Sequence, residues 1–123
     1  MSDFSLKLSD DQIGLQSWVH GFAEDVVRPA AEEWDEKEEF PYPIVQQAAE
    51  IGLYGWEFMA EMMSNDPTGL TMPVAIEELF WGDAGIGMAI MGSGLAAAGI
   101  LASGSRDQVI EWVPQCYGDA KDL

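Results

Sequence analysis

The sequence predicts an all-α domain, and three observations lead to this fold class. Apolar residues recur with the period of an amphipathic helix in several segments, and no segment alternates apolar and polar residues as a half-buried strand does. Hydrophobic residues make up 48% of the chain, which is enough for a packed core. We expect residues 1–123 to form a single domain, an orthogonal or up-down bundle of five to six helices around a buried uncharged helix at 84–103.

The first predicted helix begins at a capping box, Ser9 to Gln12, whose side chains can each accept a backbone N–H of the other residue. Its period continues to Trp34. Pro29 lies inside this stretch and should kink or loosen its second half, because Pro lacks an N–H donor and crowds the preceding turn. The apolar stripe consists of Leu15, Trp18, Val19, Phe22, Val26 and Ala30.

Two turn signals divide the middle of the chain. The segment Phe40–Pro43 ends the first helix and starts a short second one, which Gly52 closes. Residues 54–63 predict one or two further helical turns. Residues 64–69 are rich in Asn, Asp, Pro and Gly, which is typical of a loop.

The second half of the chain contains three helix boundaries. Thr71 is predicted to cap a helix that runs to Trp81. The pair Gly82-Asp83 is predicted to end this helix and to cap the next one. A second capping box, Ser105 to Gln108, opens the last helix, which stops before Pro114.

The uncharged stretch holds the candidate site. From 84 to 104 there are twenty-one consecutive residues without a charge, and Met88, Met91, Gly92 and Leu95 recur there at i, i+3, i+4 and i+7. A helix presents these positions on one face, so we predict that they wall a pocket. Methionine fills gaps in any core, and the same flexible apolar lining suits an acyl chain.

The length of this stretch also raises a transmembrane interpretation. Eight of its twenty-one residues are Gly or Ser, however, and its flanks are acidic rather than basic. These features favour a buried helix in a bundle and no membrane span.

The charge of the chain excludes one class of partner. With 22 acidic and five basic residues the formal net charge is -17, which would repel a phosphate backbone, so we expect no nucleic-acid partner. The acidic residues between 32 and 39 form either a solvated face or a docking surface for a basic partner.

Few residues offer catalytic chemistry. The single cysteine, Cys116, excludes an internal disulfide and a cysteine pair for metal, and residues 1–7 lack a signal-peptide pattern, so a cytoplasmic location is expected. The single histidine, His20, is interpreted as structural or at the surface. Glu77 and Glu78 are adjacent on a helix and therefore point about 100° apart, which prevents a facing carboxylate pair. We predict no catalytic residue and no metal site in this chain.

The order of the punctuating residues resembles the N-terminal α-helical domain of the acyl-CoA dehydrogenase family over residues 8–123. The sequence departs from the family pattern at 58–69, where the family usually has Pro-Glu followed by a Gly-Gly turn. The matching motifs are Leu8 to Gln12, Phe22-Ala23, Pro29, Phe40-Pro41, Gly52-Leu53, Gly69-Leu70, Glu77-Glu78, Gly104 with Gln108, and Trp112-Val113-Pro114.

The resemblance implies a flavoenzyme that removes hydrogens from the α and β carbons of an acyl-CoA thioester. FAD would be the cofactor, electron-transfer flavoprotein the electron acceptor, and a homo- or hetero-oligomer the assembly. In the family a FAD-binding β-domain, a C-terminal helical domain and the catalytic base lie beyond the matched region. The chain looks truncated before the β-domain, and we expect it to be inactive by itself.

The resemblance also gives the candidate face a role, since the positions matching Met88, Met91, Gly92 and Leu95 line the acyl pocket in the family. Met91 would lie near the depth at which chain length or branching is sensed, and the small residues at 92, 94 and 96–98 would admit a bulky acyl group. The alternative is a stand-alone acidic helical interaction module without catalytic activity.

Overall fold

The computed structural model describes residues 5–64 and 66–118, without the side chain of Met63. No strand occurs in these residues, and the predicted all-α class is confirmed. The helices are α1 (Asp10–Phe22), α2 (Arg28–Lys37), α3 (Tyr42–Glu50), α4 (Trp56–Ser64), α5 (Thr71–Gly82), α6 (Ala84–Met91), α7 (Ser93–Ser103) and α8 (Arg106–Trp112), with a π turn at Ala23–Val27 and a 3-10 turn at Pro114–Cys116.

Helix α1 begins at the predicted capping box. The Ser9 N–H donates to Gln12 Oε1 at 3.0 Å, and the Gln12 N–H donates to Ser9 Oγ at 3.2 Å. The loosening predicted for the second half of this stretch lies before Pro29 instead, as the π turn Ala23–Val27, and the residues after it form the regular helix α2. A proline ring clashes with the carbonyl four residues earlier in an α-helix, so a widened turn at this place relieves the crowding.

The start of α5 corrects one prediction. Thr71 does not cap this helix with its own side chain; instead its N–H donates to Asp66 Oδ2 at 2.8 Å. The same carboxylate accepts the N–H of Thr68 at 2.9 Å. From across the bundle, Gln12 Nε2 donates to Thr68 Oγ1 at 2.9 Å and to Thr71 Oγ1 at 3.1 Å. The loop before α5 is therefore tied to the first turn of α1.

The Asp66 carboxylate predicts a pH dependence of stability. Hydrogen bonds from Thr68 and from the Thr71 backbone hold the pKa of Asp66 well below its usual range. A carboxyl with a lowered folded-state pKa stabilises the fold above its ordinary pKa of about 4, and this contribution is lost as the pH falls further. The difference in melting temperature between the wild type and Asp66→Ala should thus be present near neutral pH and shrink toward about pH 2. A difference that is the same at both pH values would contradict this explanation.

The predicted uncharged helix at 84–103 is wrong as a single element. It is divided at Gly92 into α6 and α7, which are bent by 41°. The Gly92 N–H donates to the Met88 carbonyl at only 2.7 Å, and a Cβ on Gly92 would lie 2.7 Å from the same oxygen. The division at Gly92 and the π turn in the first helix explain why the described residues contain eight α-helices where five to six were predicted.

Burial of the uncharged segment is also less complete than predicted. Ile86, Ile90 and Ala97 are buried, whereas Met88 is 49% exposed and Leu95 is 71% exposed. Among the described residues no single helix has the length and hydropathy to cross a bilayer. The bent pair α6 and α7 has the required length and hydropathy only when the two helices are counted together.

Asp83 caps α6, since the Ile86 N–H donates to its Oδ1 at 2.7 Å, and this cap fixes the corner between α5 and α6.

Two apolar cores hold the helices together. The main core lies between α1, α3, α5 and α6. A smaller core joins α7, α8 and the chain after it, and includes Ala97, Val113 and Tyr117. The buried side chains of the main core are Val19, Phe22, Val27, Ile44, Val45, Ala48, Leu53, Met62, Ala75, Leu79, Ile86 and Ile90.

Candidate functional site

An apolar groove of about 320 Å³ runs between α4, α5 and the bent pair α6–α7. We call it the methionine groove, because four of its eight lining residues are methionines. The lining residues are Met59, Met72, Ile76, Phe80, Met88, Met91, Gly94 and Leu95. A groove with this lining offers no hydrogen bond from a side chain and suits a flexible hydrocarbon.

The structure brings together three of the four predicted site residues. Met88, Met91 and Leu95 line the methionine groove, whereas Gly92 does not. Gly92 lies at the bend, where the Met88 carbonyl occupies the place that its side chain would need. Gly92 therefore shapes the backbone that carries Met88, Met91 and Leu95 and does not line the groove itself.

The opposite wall of the groove was not predicted from the sequence. Met72, Ile76 and Phe80 are spaced by four residues on α5, which places them on one face of that helix. This spacing was a usable signal. What it could not show is that the face of α5 and the face of α6–α7 meet across a groove.

A second cavity of about 400 Å³ adjoins the methionine groove, and the two share Met59, Met72 and Gly94 as lining residues. Of the small residues expected to widen a pocket, Gly94, Ala97 and Ala98 line this second cavity, whereas residues 92 and 96 line neither. The remaining lining residues are Trp56, Met62, Asp66, Gly69, Leu101 and Tyr117.

The two oxygen-bearing side chains described in the second cavity, Asp66 and Tyr117, differ in their hydrogen bonding. Asp66 is engaged with the loop before α5, as described above. Tyr117 is 4% exposed, and its hydroxyl has no hydrogen-bond partner among the described residues. Burial raises the pKa of Tyr117, with smaller contributions from Cys116 and Tyr54, so the hydroxyl keeps its proton at neutral pH.

A polar cluster on the α1–α5 interface lies apart from both cavities. His20 Nδ1 is 2.7 Å from Glu78 Oε2, and Gln16 Nε2 donates to Glu78 Oε1 at 2.9 Å. The His20 ring packs on Trp81 at 4.4 Å between centroids. None of these residues lines the methionine groove or the second cavity. His20 is thus a helix-packing residue, as interpreted from the sequence.

The adjacent glutamates have different surroundings. Glu78 faces α1, with a side-chain exposure of 14%, whereas Glu77 is exposed. The two carboxylates therefore do not form a facing pair. Within 5–64 and 66–118, no group of three or more His, Cys, Asp and Glu residues could hold a metal ion.

The site as a whole can bind and shield an apolar chain. In the methionine groove no described side chain can act as a base, an acid or a nucleophile. The groove supplies exclusion of water and shape rather than chemistry.

The comparisons with known proteins agree with this architecture. The family model described as "Acyl-CoA dehydrogenase, N-terminal domain" matches residues 9–118. The chain is 31% identical over 104 residues to a protein named "Probable medium-chain specific acyl-CoA dehydrogenase 2, mitochondrial" of Caenorhabditis briggsae, a match that covers 85% of this chain and 26% of that protein.

Two further relatives carry related names. The "Isobutyryl-CoA dehydrogenase, mitochondrial" of Dictyostelium discoideum is 29% identical over 110 residues, with 89% of this chain and 26% of that protein covered. The "(2S)-methylsuccinyl-CoA dehydrogenase" of Cereibacter sphaeroides is 34% identical over 95 residues, with 76% and 17% covered. The chain spans about a quarter or less of the length of these relatives. The match over residues 9–118 shows that the chain belongs to the acyl-CoA dehydrogenase family, through the N-terminal domain of that family.

Proposed function

We propose that this chain is the N-terminal domain of a flavin-dependent acyl-CoA dehydrogenase and that the methionine groove forms one wall of its acyl pocket. The observation that carries the proposal is the groove itself, because Met88, Met91 and Leu95 meet an unbroken apolar face of α5 in a member of this family. The complete protein would remove hydrogens from the α and β carbons of an acyl-CoA thioester. Its electrons would pass to an electron-transfer flavoprotein.

The groove would act by removing the acyl chain from water. Each buried methylene contributes about 0.8 kcal/mol to binding, so a longer chain gains affinity as long as the groove can cover it. The same burial holds the chain in one direction and keeps water from the neighbouring reacting carbons. Met91 and Leu95 lie on adjacent turns across the bend, and a branch on the chain would contact them.

The described residues do not fit the flavin. FAD carries a pyrophosphate, and none of five cavities between the described residues is lined by lysine or arginine. The formal charge of -17 opposes a dinucleotide further. FAD and the catalytic base would therefore belong mainly to parts of the protein beyond this chain.

The exposure of two side chains that line the methionine groove supports a further wall, formed by a part of the protein outside this chain. Leu95 is 71% exposed and Met88 is 49% exposed, although both line the methionine groove. An enzyme pocket normally covers most of a bound ligand. We propose that the rest of the polypeptide, or a second subunit of a homo- or hetero-oligomer, closes this open side. No described contact favours the alternative of a stand-alone acidic interaction module, which stays a prediction.

Gly94→Leu in the complete gene product tests the proposal. A Cβ at Gly94 would lie 3.3 Å from Met59 Cε, so a leucine there would fill the junction between the groove and the second cavity. Loss of space for about two methylenes should lower kcat/KM for long or branched acyl-CoA thioesters by about tenfold or more. The kcat/KM for short thioesters should fall much less. The measurement is kcat/KM across a series of thioesters of increasing length.

Gly14→Leu is the control. It introduces the same residue inside a helix, α1, which lines neither cavity, at a position where a Cβ would meet nothing within 4 Å. We expect its kcat/KM values to remain close to those of the wild type for every thioester. An equal loss in both variants, or an unchanged length preference in Gly94→Leu, would contradict the proposed acyl pocket.

A further inference from the structure

The hydroxyl of Tyr117 is a buried polar group without an assigned function. Tyr117 is 4% exposed, and its oxygen makes no hydrogen bond within residues 5–64 and 66–118. Buried polar atoms are nearly always hydrogen-bonded, because losing water without gaining a partner is unfavourable. A single unpaired hydroxyl in a lined cavity therefore indicates a partner that arrives from outside the chain.

The hydroxyl lies where the two cavities meet. A Cβ built on Gly94 would be 3.6 Å from the Tyr117 hydroxyl oxygen and 3.3 Å from Met59 Cε. Gly94 and Met59 line both the methionine groove and the second cavity. The missing side chain at Gly94 thus leaves the hydroxyl next to the path from one cavity to the other. Met59 has an unbranched, flexible side chain that can move away from this path.

The ring of Tyr117 is fixed, and the neighbouring polar groups are already engaged. Tyr54 packs edge-on against the ring at 5.8 Å between centroids, and Trp56 lies at 6.5 Å. The Tyr54 hydroxyl pairs with Ser93 Oγ at 3.2 Å, and the Cys116 thiol donates to the Trp112 carbonyl at 3.4 Å. Neither the Tyr54 hydroxyl nor the Cys116 thiol forms a hydrogen bond with Tyr117, so the Tyr117 hydroxyl remains a free donor.

The charges around the site select the kind of acceptor. Among the described lining residues, Asp66 is the one carboxylic acid of the second cavity, and neither cavity has a lysine or an arginine. A carboxylate on a ligand would lie near the negative charge of Asp66 without a cation to pair with, and the two like charges would repel each other. A neutral oxygen, such as a hydroxyl or a ketone, has no such penalty and accepts a hydrogen bond from a tyrosine.

We propose that the Tyr117 hydroxyl donates a hydrogen bond to a neutral oxygen on the distal part of the acyl group, so that the enzyme favours acyl-CoA thioesters bearing a hydroxyl or ketone beyond the β carbon. This inference rests on the proposed function of the methionine groove. Tyr117 acts here as a specificity residue at the far end of the acyl site and takes no part in the removal of hydrogens.

The first test compares substrates in the complete gene product. The probes are octanoyl-CoA, a set of hydroxyoctanoyl-CoA thioesters with the hydroxyl on each carbon beyond the β carbon, and a thioester of equal length that ends in a carboxylate. For at least one hydroxylated probe, Tyr117→Phe should lower the ratio of its kcat/KM to that of octanoyl-CoA by about tenfold. The ratio of kcat/KM for the carboxylate probe to that for octanoyl-CoA should stay low in both proteins.

The outcomes separate this inference from the function on which it rests. A wild-type protein that turns over none of the thioesters would overturn the proposed function and this inference with it. Turnover with the same ratio in the wild type and Tyr117→Phe would overturn the inference alone. A loss confined to the carboxylate probe would also overturn it, because the acceptor would then be charged.

The second test measures stability without ligand. Tyr117→Phe removes an oxygen that has no partner, so its melting temperature should equal or exceed that of the wild type. Tyr54→Phe is the matched control, because it removes a hydroxyl that pairs with Ser93, and its melting temperature should fall. A fall in Tyr117→Phe as large as that in Tyr54→Phe would show that the Tyr117 hydroxyl is already bonded within the protein, and the proposal would be wrong.

Discussion

Replacing Leu79 with alanine is expected to lower the free energy of unfolding by about 2–5 kcal/mol, the range for emptying a well-packed leucine site. Leu79 lies on α5, is 0% exposed and belongs to the main core together with side chains of α1, α3 and α6. The substitution removes buried methylene groups and leaves a cavity that these helices can only partly close. Urea unfolding of the 123-residue chain, followed by helical circular dichroism, measures the change.

Ile110→Ala serves as the control for Leu79→Ala. Ile110 lies on α8 and is 63% exposed, so truncating it removes little buried surface. We expect a change within about 0.5 kcal/mol. Similar losses in the two variants would mean that α5 does not pack into the core as described.

Gly82→Ala is expected to destabilise the chain by about 1–3 kcal/mol, although alanine is the better helix former. A Cβ at Gly82 would lie 2.9 Å from Val27 Cγ1 and 3.2 Å from the Cβ of Ala23. Both neighbours are 0% exposed and belong to the π turn, and their Cβ atoms move only with the backbone. The methyl group would therefore push α5 away from the π turn.

Gly14→Ala is the matched substitution, because Gly14 lies in α1 and a Cβ there would meet nothing within 4 Å. We expect this variant to be more stable than the wild type by about 0.5–1 kcal/mol, the ordinary gain from replacing glycine inside a helix. The two Gly→Ala changes thus have opposite signs in urea unfolding. If Gly82→Ala also stabilised the chain, the close approach of α5 to the π turn would be refuted.

The sequence alone determined the elements whose causes are local. The capping boxes at Ser9 and Ser105 and the cap at Asp83 are all present, because each depends on residues within three positions of one another. Pro29 also disturbs the helix locally, although the widened turn lies before it, at Ala23–Val27, and not in the second half as predicted. The order of these short motifs was also enough to indicate the family.

One wall of the candidate groove followed from spacing. The recurrence of Met88, Met91 and Leu95 on one face survives in the structure, because helical period is a property of the chain. Gly92 fitted the same period but lies at a bend, where it contributes no lining. Periodicity cannot distinguish a residue that lines a groove from one whose backbone bends the helix.

Only the tertiary structure decided what meets across the bundle. Gln12 bonds to Thr68 and Thr71, and Glu78 to Gln16 and His20, over separations that no local pattern encodes. The opposite wall on α5 and the unpaired hydroxyl of Tyr117 depend likewise on how close the helices approach one another. That approach is set by the packing of side chains from distant parts of the chain, and the sequence specifies it only through all of them together.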